Sequence, residues 1–78
     1  MTHALKTQPQ FFSAISSGEK TFEVRKSDRP FQVGETLLLQ EWDGRYTGNE
    51  YPVIITYILK GGNFGIDKDY VVMGIKEK

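Results

Sequence analysis

The chain has 78 residues, with ten basic and ten acidic side chains, no net formal charge, no cysteine and 13% aromatic residues. That length holds one domain, and the missing thiols exclude disulfides, a zinc ribbon and a cysteine nucleophile. A balanced charge gives no chain-wide nucleic-acid signal, so any binding site must be sought in a local cluster.

A domain of this size buries only about 60–65% of the surface its unfolded chain exposes, so its aromatic residues, each able to bury about 150–250 Å², matter to the core. No apolar run reaches the roughly 18 residues that a membrane-spanning helix needs, and no basic segment followed by an apolar stretch marks a leader. The expectation is a soluble, cytoplasmic protein with no membrane partner, which suits the absence of cysteine.

In chain order, His3 to Thr7 reads as a short first strand. Pro9 stands where its missing N–H costs nothing, in the first turn of a helix. Phe11, Phe12, Ala14 and Ile15 form one apolar helical face, and Gly18 follows as a cap, so the spacing predicts a helix over Pro9 to Ser17. From Lys20 to Arg25 polar and apolar residues alternate. Phe22 and Val24 share one face of a strand; Thr21, Glu23 and Arg25 share the other. Lys20 falls on the Phe22 face, at the strand's start. Ser27 to Pro30 reads as a turn, and Val33-Gly34-Glu35 as a second, tighter one.

Thr36 to Trp42 is a nearly continuous apolar run, which predicts a strand buried on both sides. Asp43-Gly44 opens a long loop through Gly48-Asn49. Tyr51 to Leu59 is the strongest strand in composition, rich in β-branched and aromatic residues. Gly61 to Gly65 is a glycine-rich loop read as flexible, because it lacks the Lys and Ser or Thr of a phosphate loop. Tyr70 to Ile75 is the last strand, and Lys76-Glu77-Lys78 a solvated tail. The order is strand, helix, then four strands. It predicts a mainly β, α+β domain with one or two short helices, built as a small barrel or sandwich.

Four basic residues, Lys20, Arg25, Lys26 and Arg29, stand between positions 20 and 29 against Glu23 and Asp28. Glu23 and Arg25 together offer an acceptor and a fork of donors. Such a pair can read a base edge, or hold phosphate while the carboxylate orients the arginine. The plainer alternative is a surface ion pair contributing about 0–1 kcal/mol. Trp42 is assigned to one end of the core and Tyr46, in its loop, to ligand stacking. His3 is read as structural. Asp67 and Asp69 lack calcium-loop spacing, and no metal or cofactor is implied.

Gly18-Glu19-Lys20-Thr21-Phe22-Glu23-Val24-Arg25 resembles the G-x-K-x-x-E-x-R motif of ASCH domains, members of the PUA-like superfamily named after the activating signal cointegrator. The preceding helix and the Val33-Gly34-Glu35 turn before an apolar strand also fit. The whole chain is most similar to a short bacterial and phage branch, the domain of unknown function DUF3850. Its recurring text appears here as Phe31-Gln32-Val33-Gly34, Glu41-Trp42-Asp43 and Tyr46-Thr47-Gly48. The resemblance implies a small PUA-like β-barrel over residues 1–78. It implies a module that binds RNA or a nucleotide in a cleft around Lys20, Glu23 and Arg25, extended by Lys26, Arg29 and Tyr46.

One ASCH-like branch hydrolyses acetylated cytidine with a threonine three residues after the motif lysine. Here that position is Glu23, so the alternative of a hydrolase needs another arrangement. In a ribonuclease, Glu23 would be the general base, with Lys20 or Arg25 stabilising the developing charge. A protein-interaction domain is the third alternative. Length and composition leave the oligomeric state open.

Overall fold

The computed structural model describes residues 1–78 as five strands and one helix. In chain order they are β1 (Thr2–Thr7), α1 (Pro9–Ser16), β2 (Phe22–Lys26), β3 (Thr36–Trp42), β4 (Tyr46–Lys60) and β5 (Tyr70–Glu77). All five strands form one sheet in the order β1-β3-β4-β5-β2. β1 runs parallel to β3, and every other pair is antiparallel.

The sheet curls because β4 changes partners along its length. Its first part pairs with β3, its last part with β5, and Val53 and Ile54 pair with both. A register shift between Ile55 and Tyr57 leaves Thr56 as an extra residue opposite β5. Such a bulge increases local twist and bends the strand. Gly74 is the residue that permits it, since a Cβ there would lie 2.8 Å from Thr56 Oγ1. The outcome is a half-barrel with β1 and β2 as its two free edges.

The core fills the inside of this curl. Leu5, Leu37, Leu39, Val53, Ile55, Val71, Met73 and Ile75 come from the strands, and Ile15 from α1. Each such side chain contributes about 1.5–3 kcal/mol by leaving water. Phe12 of α1 packs edge-on against Tyr51 at 6.4 Å. The helix thus lies against the mouth of the curl, next to β3.

Several expectations shift. β3 is not buried on both faces: Leu37 and Leu39 are fully buried, whereas Leu38 points the other way and is half-buried. The loop expected from Asp43 to Asn49 is mostly strand, because β4 begins at Tyr46 and only Asp43, Gly44 and Arg45 turn the chain. Glu41 holds that extension in place, accepting hydrogen bonds from Thr47 Oγ1 (2.8 Å) and Asn49 Nδ2 (3.0 Å). These bonds, that from Asn49 foremost, keep its carboxyl below the ordinary value. Tyr46 is therefore a strand residue.

Trp42, expected in the core, stands outside it. It is half-buried at the end of β3, edge-on to Tyr46 at 4.8 Å. The glycine-rich loop is internally bonded: Gly62 N–H donates to the Ile66 carbonyl and Ile66 N–H to the Asn63 carbonyl. Gly61 is there because any Cβ would overlap the Asp67 carbonyl. β5 continues through Lys76 and Glu77, whose side chains are exposed as expected. His3 is buried, its Nε2 2.8 Å from Glu35 Oε1. No helix is long and apolar enough to cross a membrane.

Candidate functional site

The site begins at the end of α1. Gly18 takes a φ of 82°, which a residue with a Cβ rarely adopts. Its N–H donates to the Ile15 carbonyl (3.0 Å), and the Lys20 N–H returns to the Ala14 carbonyl (2.9 Å). The chain is thereby reversed and Lys20 is delivered to the start of β2.

On β2 the alternation places the polar face inward. Phe22 and Val24 are about half exposed, whereas Glu23 is only 4% exposed. A buried carboxylate needs partners, and Glu23 has one cation on each oxygen. Lys20 Nζ donates to Oε1 at 2.9 Å, and Arg25 Nε donates to Oε2 at 2.6 Å. Lys20 Nζ also donates to the Phe22 carbonyl at 2.9 Å. The three motif side chains are thus one bonded unit, although Lys20 belongs by periodicity to the opposite face.

Arg25 does more than pair with Glu23. Its Nη2 donates to the Lys6 carbonyl at 2.8 Å and to Thr7 Oγ1 at 3.3 Å. Lys6 and Thr7 lie on β1, the far edge of the sheet. One guanidinium therefore spans the opening of the half-barrel, where no strand ladder connects β1 to β2. Nη1 makes no hydrogen bond within the protein.

A cleft of about 420 Å³ opens at this junction. Lys6, Thr7 and Gln8 line it from one edge, and Phe22, Glu23, Val24 and Arg25 from the other, with Phe11 and Lys20 at the helix side. Lys20 Nζ stands 5.3 Å from the centre of the Phe11 ring and 4.8 Å from that of Phe22. Both rings are about half exposed. Lys6, Lys20 and Arg25 against Glu23 alone give the cleft a positive balance on a chain with none overall.

The other candidates lie elsewhere. Lys26 is exposed at the end of β2. Arg29 sits 3.6 Å from Asp28 and over the Phe31 ring. Neither lines the cleft. Tyr46 is outside it too, but linked through Lys6, whose ammonium lies 4.1 Å from the centre of the Trp42 ring and 5.8 Å from that of Tyr46. Lys6, Thr7, Gln8, Phe11, Phe22 and Val24 line the cleft without any local sequence signal that marks them as ligand contacts. Only the pairing of β1 with β3 and the curl of the sheet bring β1 to the motif. No group of three His, Asp or Glu side chains is arranged to hold a metal ion.

A family model described as "Domain of unknown function (DUF3850)" matches residues 2–75. The chain belongs to this family. An "Uncharacterized 12.9 kDa protein in GpA 3'region" of Escherichia phage P2 is 38% identical over 55 residues, which make up 69% of this chain and 50% of that relative. The chain thus spans about half the length of the curated relative it matches.

Proposed function

We propose that this member of the DUF3850 family is a binding module that takes a nucleotide or a single-stranded RNA in the cleft between β1 and β2. The fold we read as an ASCH-type barrel of the PUA-like superfamily, and the protein as cytoplasmic. The observation that carries this reading is the convergence of Lys20, Glu23 and Arg25 into one bonded unit beside two half-exposed phenyl rings. Cations in a partly enclosed cleft attract an anionic ligand, and aromatic faces accept bases by stacking, worth about 1–3 kcal/mol each.

The same geometry argues against catalysis by Glu23. Each of its oxygens already accepts from a cation and the residue is only 4% exposed, so a substrate hydroxyl has little access to it. A binding role needs no such group.

The test is fluorescence anisotropy of labelled single-stranded RNA oligomers with the wild-type chain and Lys6→Ala. Lys6 lines the cleft, and Arg25 bonds its backbone carbonyl and not its side chain, so the substitution leaves the Glu23 cluster bonded. Binding that weakens with salt, and several-fold with Lys6→Ala, is expected. Absence of binding at low salt, for oligomers and mononucleotides alike, would overturn the reading.

A further inference from the structure

Resting on the nucleotide reading, we propose that the cleft recognises its ligand through a phosphate held by Lys20 and Arg25, and that Glu23 is a positioning residue that does not touch the ligand.

The inference follows from counting donors and acceptors. An ammonium has three N–H groups and a guanidinium five. Lys20 directs two of its three to the Phe22 carbonyl and Glu23 Oε1. Arg25 directs Nε to Glu23 and Nη2 to the Lys6 carbonyl and Thr7 Oγ1. One N–H of Lys20 and both on Arg25 Nη1 remain for a ligand.

The acceptors of the same cluster are engaged and almost wholly buried, Glu23 at 4% and Thr7 at 3% exposed. Each Glu23 oxygen is bonded to a cation, and the side chain is 5% exposed against 17% for Lys20 and 25% for Arg25. Thr7 Oγ1 accepts from Arg25 and donates to the Leu5 carbonyl. The charged cluster thus turns its more exposed donors, rather than its buried acceptors, to the cleft. The Watson–Crick edge of every base mixes donors and acceptors, whereas a phosphate only accepts and matches a cationic donor set; the acceptor-only O6/N7 edge of guanine is the one rival, and guanosine in the nucleoside series tests it.

Glu23 has a defined part in this. By holding the ammonium on one oxygen and the guanidinium on the other, it fixes two cations that would otherwise repel. Phe11 and Phe22, beside the same ammonium, are placed for the apolar part of the ligand.

The phosphate can be terminal, as in a mononucleotide, or internal, as in an RNA chain. Calorimetric titration of the wild-type chain with nucleosides, nucleoside monophosphates and dinucleoside monophosphates separates these sources. A ligand with phosphate should bind about tenfold or more tightly than the matching nucleoside, the effect of a charge-assisted contact. The tighter of the two phosphate forms identifies the source. Nucleosides binding as tightly as their monophosphates would overturn the inference while leaving the nucleotide reading intact. No binding by any of the three classes would remove the nucleotide reading itself.

Glu23→Gln gives the second arm. Once circular dichroism has shown it folded, it should lose affinity for monophosphates, keep nucleoside affinity, and leave the ranking of the four bases unchanged. A changed ranking would show that Glu23 contacts the base and would overturn its positioning role. Should the variant not fold, the wild-type ligand series decides the phosphate claim, and Lys20→Arg, which keeps the charge, should retain the preference for phosphate.

Discussion

At the scale of single residues, the motif is first of all a structural unit. Removing Arg25 would leave the buried Glu23 carboxylate with Lys20 as its one cation, and would open the link from β2 to the Lys6 carbonyl. Arg25→Ala is therefore expected to destabilise the fold by about 1–3 kcal/mol as well as weaken binding, the range for stripping a partner from a buried polar group. Urea denaturation checks this; an unchanged midpoint would show that Arg25 serves the ligand alone. A second residue sets an acid limit. Glu35 accepts from His3, and mainly for that reason its carboxyl lies below its ordinary value of 4.5. A carboxyl depressed in the folded state stabilises above the unfolded value and loses that contribution as pH falls through the folded one. Stability should therefore drop below about pH 4.5. Glu35→Gln should flatten that limb in a series of melts between acid and neutral pH. The sequence makes Lys20, Glu23 and Arg25 legible as a group. It does not show that Glu23 would be buried and Phe22 and Val24 half exposed, because alternation tells which residues share a face and not which face lies inside. The deciding fact is tertiary: two cations and the facing β1 edge satisfy the carboxylate.

Among the elements, β3 falls where its apolar run places it, and β1, α1 and β5 fall within two residues of their expected ends. β4 does not. Its first residues, Tyr46 to Glu50, are polar and contain Gly48, a composition that reads as loop. They are strand because they pair with β3 and are tied through Thr47 and Asn49 to Glu41. Cross-strand bonds of this sort have no signature in local propensity. The bulge at Thr56 is equally silent in the sequence, yet it curls the sheet and thereby builds the cleft. Gly74→Ala tests it. The added Cβ, 2.8 Å from Thr56 Oγ1, should cost about 1–3 kcal/mol by overpacking. Thr56→Ala in the same chain should recover part of that loss, since the next contacts, at 3.7 and 3.8 Å to Tyr57, are ordinary ones. Chemical denaturation of the two single variants and the double gives the coupling; strict additivity would mean that Gly74 is required for another reason.

For the whole molecule, the half-barrel explains how an electrically neutral chain can hold a cationic site. β1 and β2 are far apart in the sheet order but meet across the opening, which brings Lys6 to the same cleft as Lys20 and Arg25, the two cations bonded to Glu23. Net charge could not reveal this, because it sums over the surface while a ligand meets one cleft. The most direct measurement is a residue-resolved NMR titration of the isotope-labelled chain with short single-stranded RNA and with mononucleotides, at about 50 and 200 mM salt. The predicted result is a set of shifts confined to Lys6–Gln8, Phe11 and Lys20–Arg25, weaker at the higher salt, with Lys26 and Arg29 little changed. Shifts centred on Lys26, Arg29 and the Phe31 side of the molecule, or none with any of these ligands, would contradict the cleft as the binding site.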